Sequence, residues 1–347
     1  MASTDSAAPD FSTDVPAAIA AEKGIAAGTG PWRIAWRRLR RNKVALAFGV
    51  LFLLLVAFSF SAPLWAEHVA GGVGPNTSKL SGQIEVDGKM EYIVALDGVP
   101  IGPTWQGEYF LGADRIGRDV MVRLLYGGRN SLMIGFGASL ITMVLATVLG
   151  LLAGFFRGWI DTIISRVFDV MWAFPVVLLG IALGVSLNLG GLSLGPLQLE
   201  GGSLWIPTII IGVAYVVYLA RPIRGQVLAL REKEFIEAAR AQGMGSWRIM
   251  FTELLPNLAS TLLVFFPIIV ANAILLEAAL SFLGAGVQPP QPSWGTMISQ
   301  GVEQLVTAPH LTIAPGLMLV LTVLSLNIFG EGVRDALDPR SKIRVEG

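Results

Sequence analysis

The chain has 347 residues, of which 53% are hydrophobic and only 14% are charged. A soluble protein of this length could not bury so much apolar surface, because even large domains leave much of their surface in water. We therefore expect an integral membrane protein. The formal net charge is +0, so the positions of the charges matter more than their sum. With no Cys and 2 His, the sequence excludes disulfides and cysteine metal sites and argues against a histidine-based centre.

The N-terminal region divides into three segments. Residues 1–30 are rich in Ala, Ser, Asp, Thr and Gly, a composition that predicts a disordered tail. Residues 31–43 are strongly basic, with Trp32 and Trp36 interleaved, as is typical of a segment on an anionic membrane surface. Residues 44–66 contain no charge and predict the first transmembrane helix. A cleaved signal peptide would have a shorter apolar core and no long tail before its basic region.

Further apolar stretches are long enough to cross a membrane. They are residues 132–156, 167–187, 204–220, 258–283 and 311–329. The sequence therefore predicts an all-α polytopic membrane protein with six transmembrane helices. Lys and Arg are concentrated in alternate connections, with Arg221 and Arg224 assigned to the one between the fourth and fifth helices. The opposite connections, 188–203 and 285–310, contain neither residue, so the positive-inside rule places both termini in the cytoplasm.

Residues 67–130 form a long connection on the outer side. Two alternating stretches, 83–86 and 90–94, flank Asp87-Gly88 and predict a β-hairpin. A lone hairpin is marginally stable, so we expect it to pack on other parts of the chain. Residues 114–129 carry an apolar stripe beside two arginines. This pattern fits either an interfacial helix or a lead-in to the second transmembrane helix.

A polar segment, residues 231–256, separates two very apolar stretches. One face of its predicted helix is apolar. The residues on that face are Phe235, Ile236 and Ala239. Gly243 is a suitable helix terminator, Ser246 a suitable N-cap, and Pro256 fits the first turn of the next helix. The pattern alone leaves two readings: a helix that receives force from a partner, or an interfacial loop helix without one.

Residues 237–243 (EAARAQG), followed by 254–257 (LLPN), resemble the EAA loop of membrane subunits of ATP-binding-cassette (ABC) importers. In that family the loop forms a coupling helix, here about 231–252, that seats in a groove of the cytoplasmic ATPase. The resemblance implies docking residues on and after this helix. They are Glu234, Phe235, Glu237, Ala238, Ala239, Gly243, Met244, Gly245 and Pro256.

Longer motifs at 110–135, 281–297 and 330–340 resemble the second, C-type permease subunit of the peptide/nickel branch. The resemblance runs from about residue 31 to the C-terminus, with an uncovered insertion around 67–109. It implies the type I importer permease fold, with residues 131–347 as the permease core.

The same resemblance implies the partners and the location. These are a homologous second permease subunit, two cytoplasmic ATP-binding subunits, an extracytoplasmic peptide-binding protein and the lipid bilayer; no nucleic-acid partner is expected. ATP and Mg would be bound by the partner ATPases, so this chain would carry no cofactor and perform no catalysis. The location implied is the inner or plasma membrane of a bacterium or archaeon.

Single residues in the predicted fifth helix and the following loop also stand out. Glu277 is the lone carboxylate well inside that helix, so it should face the bundle interior or a wet path. It could contact a cargo amino group or hydrogen-bond to a neighbouring helix, and we favour the structural role. Trp294 is placed to anchor at the interface. The resemblance makes Trp294 and Gly295 candidates for contact with the binding protein.

The sequence contains little that supports a hydrolase, an ATPase or an ion-coupled carrier. Residues 191–195 match the G-x-S-x-G pattern of serine hydrolases around Ser193, but the match lacks a strand-turn-helix setting, and the two histidines, His68 and His310, lie in separate outer loops. No Lys lies in a phosphate-binding loop, so energy must come from another polypeptide or an ion gradient. A gradient-driven carrier would bury more titratable groups. We therefore expect ATP-driven peptide import, with nickel, glutathione-like molecules or peptide antibiotics as alternative cargoes.

Overall fold

The computed structural model describes residues 31–194 and 197–338. The tail predicted for residues 1–30 lies outside this range, and so do the basic residues Arg340, Lys342 and Arg344. The described chain is mostly helical, with two small antiparallel hairpins.

The helices and strands are numbered here in chain order. The helices before the long polar segment are α1 Pro31–Arg41, α2 Lys43–Phe60, α3 Ala62–His68, α4 Val120–Phe156, α5 Gly158–Ala173, α6 Val176–Gly190, α7 Trp205–Ala214 and α8 Val216–Leu230. Those that follow are α9 Glu234–Ala241, α10 Ser246–Ile249, a π-helix Met250–Leu254, α11 Leu255–Phe282, α12 Trp294–Val302 and α13 His310–Leu337. The strands are β1 Gln83–Val86, β2 Lys89–Tyr92, β3 Leu192–Leu194 and β4 Leu197–Leu199.

Within the described residues, 5 helical runs are long and apolar enough to cross a membrane. They are α2, α4, α7 with α8, α10 through α11, and α13. The pair α5 and α6 passes the same test together, although the two helices are bent by 89°. Counting this pair as one span gives the six predicted from the sequence.

The predicted third span, 167–187, is not one straight helix. Phe174 leaves the helical region, with φ −95° and ψ 132°, and Pro175 follows it. A proline disfavours the helical conformation of the residue before it, and it cannot donate the backbone hydrogen bond that would continue the helix. A prediction based on apolarity alone missed this break, because the break lies inside an apolar run.

The predicted fourth span, residues 204–220, ends before the helix does in the structure. Helix α8 continues to Leu230, so Arg221 and Arg224 lie within a helix and not in a connection. Both arginines are paired: Arg221 Nη2 lies 2.8 Å from an oxygen of Asp169, and Arg224 donates two hydrogen bonds to Asp161. These pairs reduce the cost of keeping the charges along the helix.

The outer connection contains the predicted hairpin. Gln83 pairs with Tyr92 and Val86 with Lys89, and Ile84 packs on a small cluster that includes Ile93. The separate interfacial helix considered for residues 114–129 is absent from this described segment. Helix α4 begins at Val120, with the Asp119 side chain accepting a hydrogen bond from the Val122 amide. Residues 120–129 are the first turns of α4, which favours the lead-in interpretation of this segment.

Small residues bring α4 and α8 into close contact. A Cβ atom placed on Gly150 would lie 2.7 Å from Cγ2 of Ile223, and one on Gly154 would lie 2.7 Å from Cβ of Val227. The spacing of four residues puts both glycines on one helix face, as the small-xxx-small pattern predicts. Helix α8 is thereby held against α4 down to the level of the polar segment that follows it.

Candidate functional site

Helix α9 is amphipathic. Ile236 and Ala239 are buried in an apolar cluster that also contains Phe155 of α4 and Val227 of α8. Glu237 and Ala238 are exposed on the other side, and the acidic residues of the first turn suit the positive end of the helix dipole. The helix therefore packs on the transmembrane core with one face and leaves the other face free.

The burial divides the residues predicted to dock an ATPase into two groups. Glu234, Phe235, Glu237, Ala238, Gly243, Gly245 and Pro256 are exposed. Ala239 is only 5% exposed, and Met244 is half-buried against the same cluster. Ala239 therefore belongs to the core and not to a docking surface. Phe235 was predicted on the apolar face with Ile236 and Ala239, but it is 38% exposed.

Gly243 ends helix α9 with a Schellman motif. Its φ is +78°, the left-handed conformation that glycine adopts without steric cost. The Gly243 amide donates to the carbonyl of Arg240, and the Met244 amide donates to the carbonyl of Ala239. These are the two hydrogen bonds that define the motif. The predicted role of Gly243 as helix terminator is confirmed.

The chain then enters a second helical run at Ser246. The N-cap is Gly245, so Ser246 is the first helical residue and not the predicted cap. The run is helical from Ser246 to Phe282 and includes the π-helix Met250–Leu254, in which the Leu255 amide donates to the carbonyl of Met250. The wider turn precedes Pro256, whose ring would otherwise clash with a carbonyl of the preceding turn. The polar segment is therefore joined to α11 without a flexible loop.

Side chains also fix this segment to the end of α4. The Arg231 guanidinium donates a hydrogen bond of 2.5 Å to the Phe155 carbonyl, one of the groups that a helix end leaves without an internal partner. Burial lowers the pKa of Arg231 from its usual value, and the nearby charge of Arg157 acts in the same direction. Arg157 itself pairs with Glu232 at 2.8 Å. These anchors were not predicted from the sequence, although the charge pattern RE at 231–232 is visible there.

The segment 231–256 thus combines three properties, and we call it the coupling segment. It presents an exposed face that includes Glu234, Glu237 and Ala238, it packs on α4 and α8, and it continues into the span that ends at Phe282. Such an arrangement can transmit a displacement from a partner surface into the membrane region. Among the described residues, no group of three or more His, Asp or Glu side chains is arranged to hold a metal ion.

Comparison with known proteins agrees with this architecture. Residues 146–343 match the family described as the binding-protein-dependent transport system inner membrane component. Residues 30–74 match the N-terminal transmembrane domain of oligopeptide transport permease C. The chain belongs to this family of inner-membrane transport components. It is a multi-pass permease subunit of an ABC importer with the type I permease fold.

Full-length relatives are also similar to this permease. The glutathione transport system permease protein GsiD of Pectobacterium atrosepticum is 37% identical over 312 residues, which cover 90% of this chain and 92% of the relative. The dipeptide transport system permease protein DppC of Alkalihalophilus pseudofirmus is also 37% identical over 312 residues, which cover 90% of this chain and 91% of the relative. A solved structure of the MetNI methionine ABC transporter matches with a TM-score of 0.49, at 19% identity, over 62% of this chain and 97% of that one.

Glu277 of this permease is fully buried at the junction of three elements. Its carboxylate oxygens accept hydrogen bonds of 2.7 Å from Ser131 on α4 and from Ser281 on α11. Each serine oxygen accepts a further bond from a backbone amide, Ser131 from Trp294 at the start of α12 and Ser281 from Val287 in the loop after α11. Glu277 therefore holds the loop after α11 against α4. This geometry supports the structural role that the sequence favoured.

The structure contradicts the predicted exposure of Trp294 and Gly295. Trp294 is 0% exposed, and its indole nitrogen donates to the Leu124 carbonyl at 3.2 Å. Gly295 is also buried, and a Cβ atom there would lie 2.5 Å from the Ala278 carbonyl oxygen. The loop folds inward because α12 begins with a capping box at Ser293 and packs on α4 and α11. Neither residue is accessible to a binding protein or to the membrane interface.

The setting of Ser193 does not resemble a nucleophile elbow. Ser193 is exposed in the short strand β3 and pairs with Gln198 of β4 in a hairpin. A nucleophile elbow requires a sharp turn from a strand into a helix. Gly195, the last residue of the matched pattern, lies outside the described residues.

Proposed function

We propose that this permease converts ATP-driven movement of two partner ATPases into peptide uptake, and that the coupling segment receives the movement. The exposed face of α9 would contact an ATPase on the cytoplasmic side, and both termini of the chain would lie on that side. The single observation that carries the proposal is the continuous helical run from Ser246 to Phe282, which joins the coupling segment directly to a span.

The charge distribution supports this orientation. Basic residues are concentrated next to the coupling segment and before α2, whereas 188–194, 197–203 and 285–310 contain neither Lys nor Arg. Short connections on the cytoplasmic side of a membrane are enriched in Lys and Arg. A cytoplasmic ATPase would therefore meet the same surface that the fold leaves exposed on α9.

The proposed assembly contains one copy of this permease, a homologous second permease, two ATPases and an extracytoplasmic peptide-binding protein. This chain would break no bond itself, since ATP and Mg would be bound by the partner ATPases. The peptide cargo is supported by the relatives named for dipeptide and glutathione transport. Nickel, glutathione-like molecules and peptide antibiotics are the alternative cargoes.

The proposal is tested in proteoliposomes that contain the whole assembled transporter. Glu237→Lys reverses one charge on the exposed face of α9, and Glu91→Lys makes the same change on the exposed outer hairpin as a control. We expect Glu237→Lys to abolish binding-protein-stimulated ATP hydrolysis and peptide uptake, while Glu91→Lys leaves both at the wild-type level. Normal hydrolysis and uptake in Glu237→Lys would refute the coupling role of this face.

A further inference from the structure

The break between α5 and α6 has an unusual side-chain environment. Trp172 precedes the break, and its ring lies 4.6 Å from that of Tyr218 on α8. Tyr218 is in turn 5.4 Å from Tyr215. The Arg221 guanidinium lies 4.8 Å above the Trp172 ring and pairs with Asp169 at 2.8 Å. Three aromatic rings and an ion pair of opposite charges thus adjoin one interruption of a helix.

Tyr215 is half-buried, and the other groups are exposed in the single subunit. Trp172 is 49% exposed and Tyr218 45%, and the side chains of Arg221 and Asp169 are 39% and 56% exposed. A cavity of about 410 Å³ adjoins the ion pair. Its lining residues are Ser165, Phe168, Asp169, Arg221 and Arg224. We call Trp172, Tyr215, Tyr218 and the pair Asp169–Arg221 the aromatic–charged face.

The two tyrosines of the aromatic–charged face lie along a helical run that is long enough to cross a membrane. Tyr215 and Tyr218 are near the middle of the 26-residue run Trp205–Leu230. The Tyr215 hydroxyl donates to the carbonyl of Asn272, which lies within α11 and is itself exposed. Interrupted backbone and exposed charges are tolerated at this depth only against protein or a water-filled cavity.

Other exposed surfaces of the bundle have a different character. Helix α4 exposes Leu140, Val144 and Val148, and α2 exposes Leu53 and Leu54, all apolar side chains suited to lipid. The contrast indicates that the aromatic–charged face does not face hydrocarbon. Interrupted helices also line the substrate sites of secondary transporters.

We propose that the aromatic–charged face is the wall of the translocation pathway that contacts the peptide; this rests on the proposed function. Arg221 would bind the peptide carboxylate in exchange for Asp169, and the rings would contact the peptide backbone and apolar side chains. In the absence of cargo the two charges neutralise each other. A peptide must exchange with this existing pair, which keeps its binding weak enough for release.

The chain contains no cysteine, so a single introduced thiol reports directly on water access. Tyr218→Cys and, as a lipid-facing control, Val148→Cys are placed in the complete transporter in nanodiscs and treated with a charged methanethiosulfonate reagent. We expect Tyr218→Cys to react at least about tenfold faster, because the reactive thiolate forms in water and not in hydrocarbon. Equal rates, or no reaction at Tyr218→Cys, would overturn the proposal.

A second variant tests the charge recognition without depending on the cysteine. Transport of penta-alanine and of its C-terminal amide is measured for the wild type and for Arg221→Gln, together with the affinity of the binding protein for each peptide. We expect Arg221→Gln to raise the transport KM of penta-alanine about tenfold and that of the amide little, because only the free carboxylate forms charge-assisted bonds with Arg221. An unchanged ratio of the two KM values would overturn the proposed contact.

Measurements on the wild-type complex distinguish a failure of this inference from a failure of the proposed function on which it rests. Uptake of di-alanine, penta-alanine and S-methylglutathione is measured first, with ATP hydrolysis in parallel. Hydrolysis without uptake of any of the three peptides would refute both the peptide function and this inference. Uptake combined with an unreactive Tyr218→Cys would refute the pathway wall alone.

Discussion

Arg231, which precedes helix α9, donates a hydrogen bond to the backbone carbonyl of Phe155, the penultimate residue of the long transmembrane helix α4. The two residues are 76 positions apart in the chain. The contact gives a helix-end carbonyl a charged donor and fixes the start of the coupling segment to a span other than the one it leads into.

Arg231→Gln should weaken this anchor. Loss of the charged donor leaves the Phe155 carbonyl poorly satisfied, and we expect a stability loss of about 1–2 kcal/mol together with a lower peptide uptake per ATP hydrolysed. Arg231→Lys should recover part of the uptake, since it retains the charge. The measurements are thermal denaturation of the purified permease and coupled transport in proteoliposomes. Lys89→Gln, on the outer hairpin, is the control, and identical behaviour of the two Gln variants would contradict the anchoring role.

Gly243→Ala tests the Schellman motif. No atom lies within 4 Å of the position where the added Cβ would be, so the whole penalty comes from the left-handed backbone. We expect a loss of about 1 kcal/mol and reduced coupling, with Gly243→Asn less affected because Asn tolerates this conformation. Gly245→Ser is the control for folding, since Gly245 has φ −70° and serine is a good N-cap. Equal denaturation temperatures for Gly243→Ala and Gly245→Ser would show that the motif is unimportant.

Substitutions of the exposed Ala238 and the buried Ala239 distinguish an effect on ATPase docking from an effect on folding. Ala239→Asp places an unpaired carboxylate in the buried cluster and should cost more than about 3 kcal/mol. Ala238→Asp lies on the exposed face and should stay within about 1 kcal/mol of the wild type, the difference in helix propensity. We expect Ala238→Asp to fold normally but to lose binding-protein-stimulated ATP hydrolysis. A normally folded Ala238→Asp transporter with full hydrolysis would rule out docking at this position.

Much of the coupling segment could be predicted from the sequence because its signals are local. Gly243 and the small residues before it predict the C-terminal end of helix α9 to within a few residues. The direction in which Phe235 points could not be predicted, since Phe235 and Ile236 are both apolar and only the core of α4 and α8 selects between them. The helix break at Phe174 was missed although Pro175 was visible, because tolerated prolines occur in membrane helices. The burial of Trp294 depends on contacts with Leu124 and Ser131, far away in the chain.

Substitution of Glu277 distinguishes the structural role from a cargo contact. Glu277→Gln retains an acceptor and adds a donor that a serine hydroxyl can accept, so we expect nearly wild-type stability and uptake. Glu277→Ala leaves Ser131 and Ser281 without their shared acceptor and should lose about 2 kcal/mol or more. Thermal denaturation and peptide uptake are measured for both variants. A stable Glu277→Gln permease with no uptake would indicate that the charge itself serves transport.

Trp294 should act through the fold and not through a binding protein. Trp294→Ala removes a fully buried side chain and should cost about 3–5 kcal/mol. Trp105→Ala, at a position 67% exposed on the outer connection, should change stability by less than about 0.5 kcal/mol. Denaturation of the two purified variants measures the difference. A Trp294→Ala permease as stable as Trp105→Ala would contradict the burial of this side chain.

Site-specific crosslinking tests the central claim, that an ATPase seats on the exposed face of the coupling segment. Single cysteines at positions 234 to 241, in the cysteine-free chain, are modified with a short photoreactive maleimide in the assembled transporter and illuminated. We predict crosslinks to the ATPase from Glu234→Cys, Glu237→Cys and Ala238→Cys, but none from Ile236→Cys or Ala239→Cys. An absence of ATPase crosslinks along the whole helix, or equal crosslinking from both faces, would contradict the account.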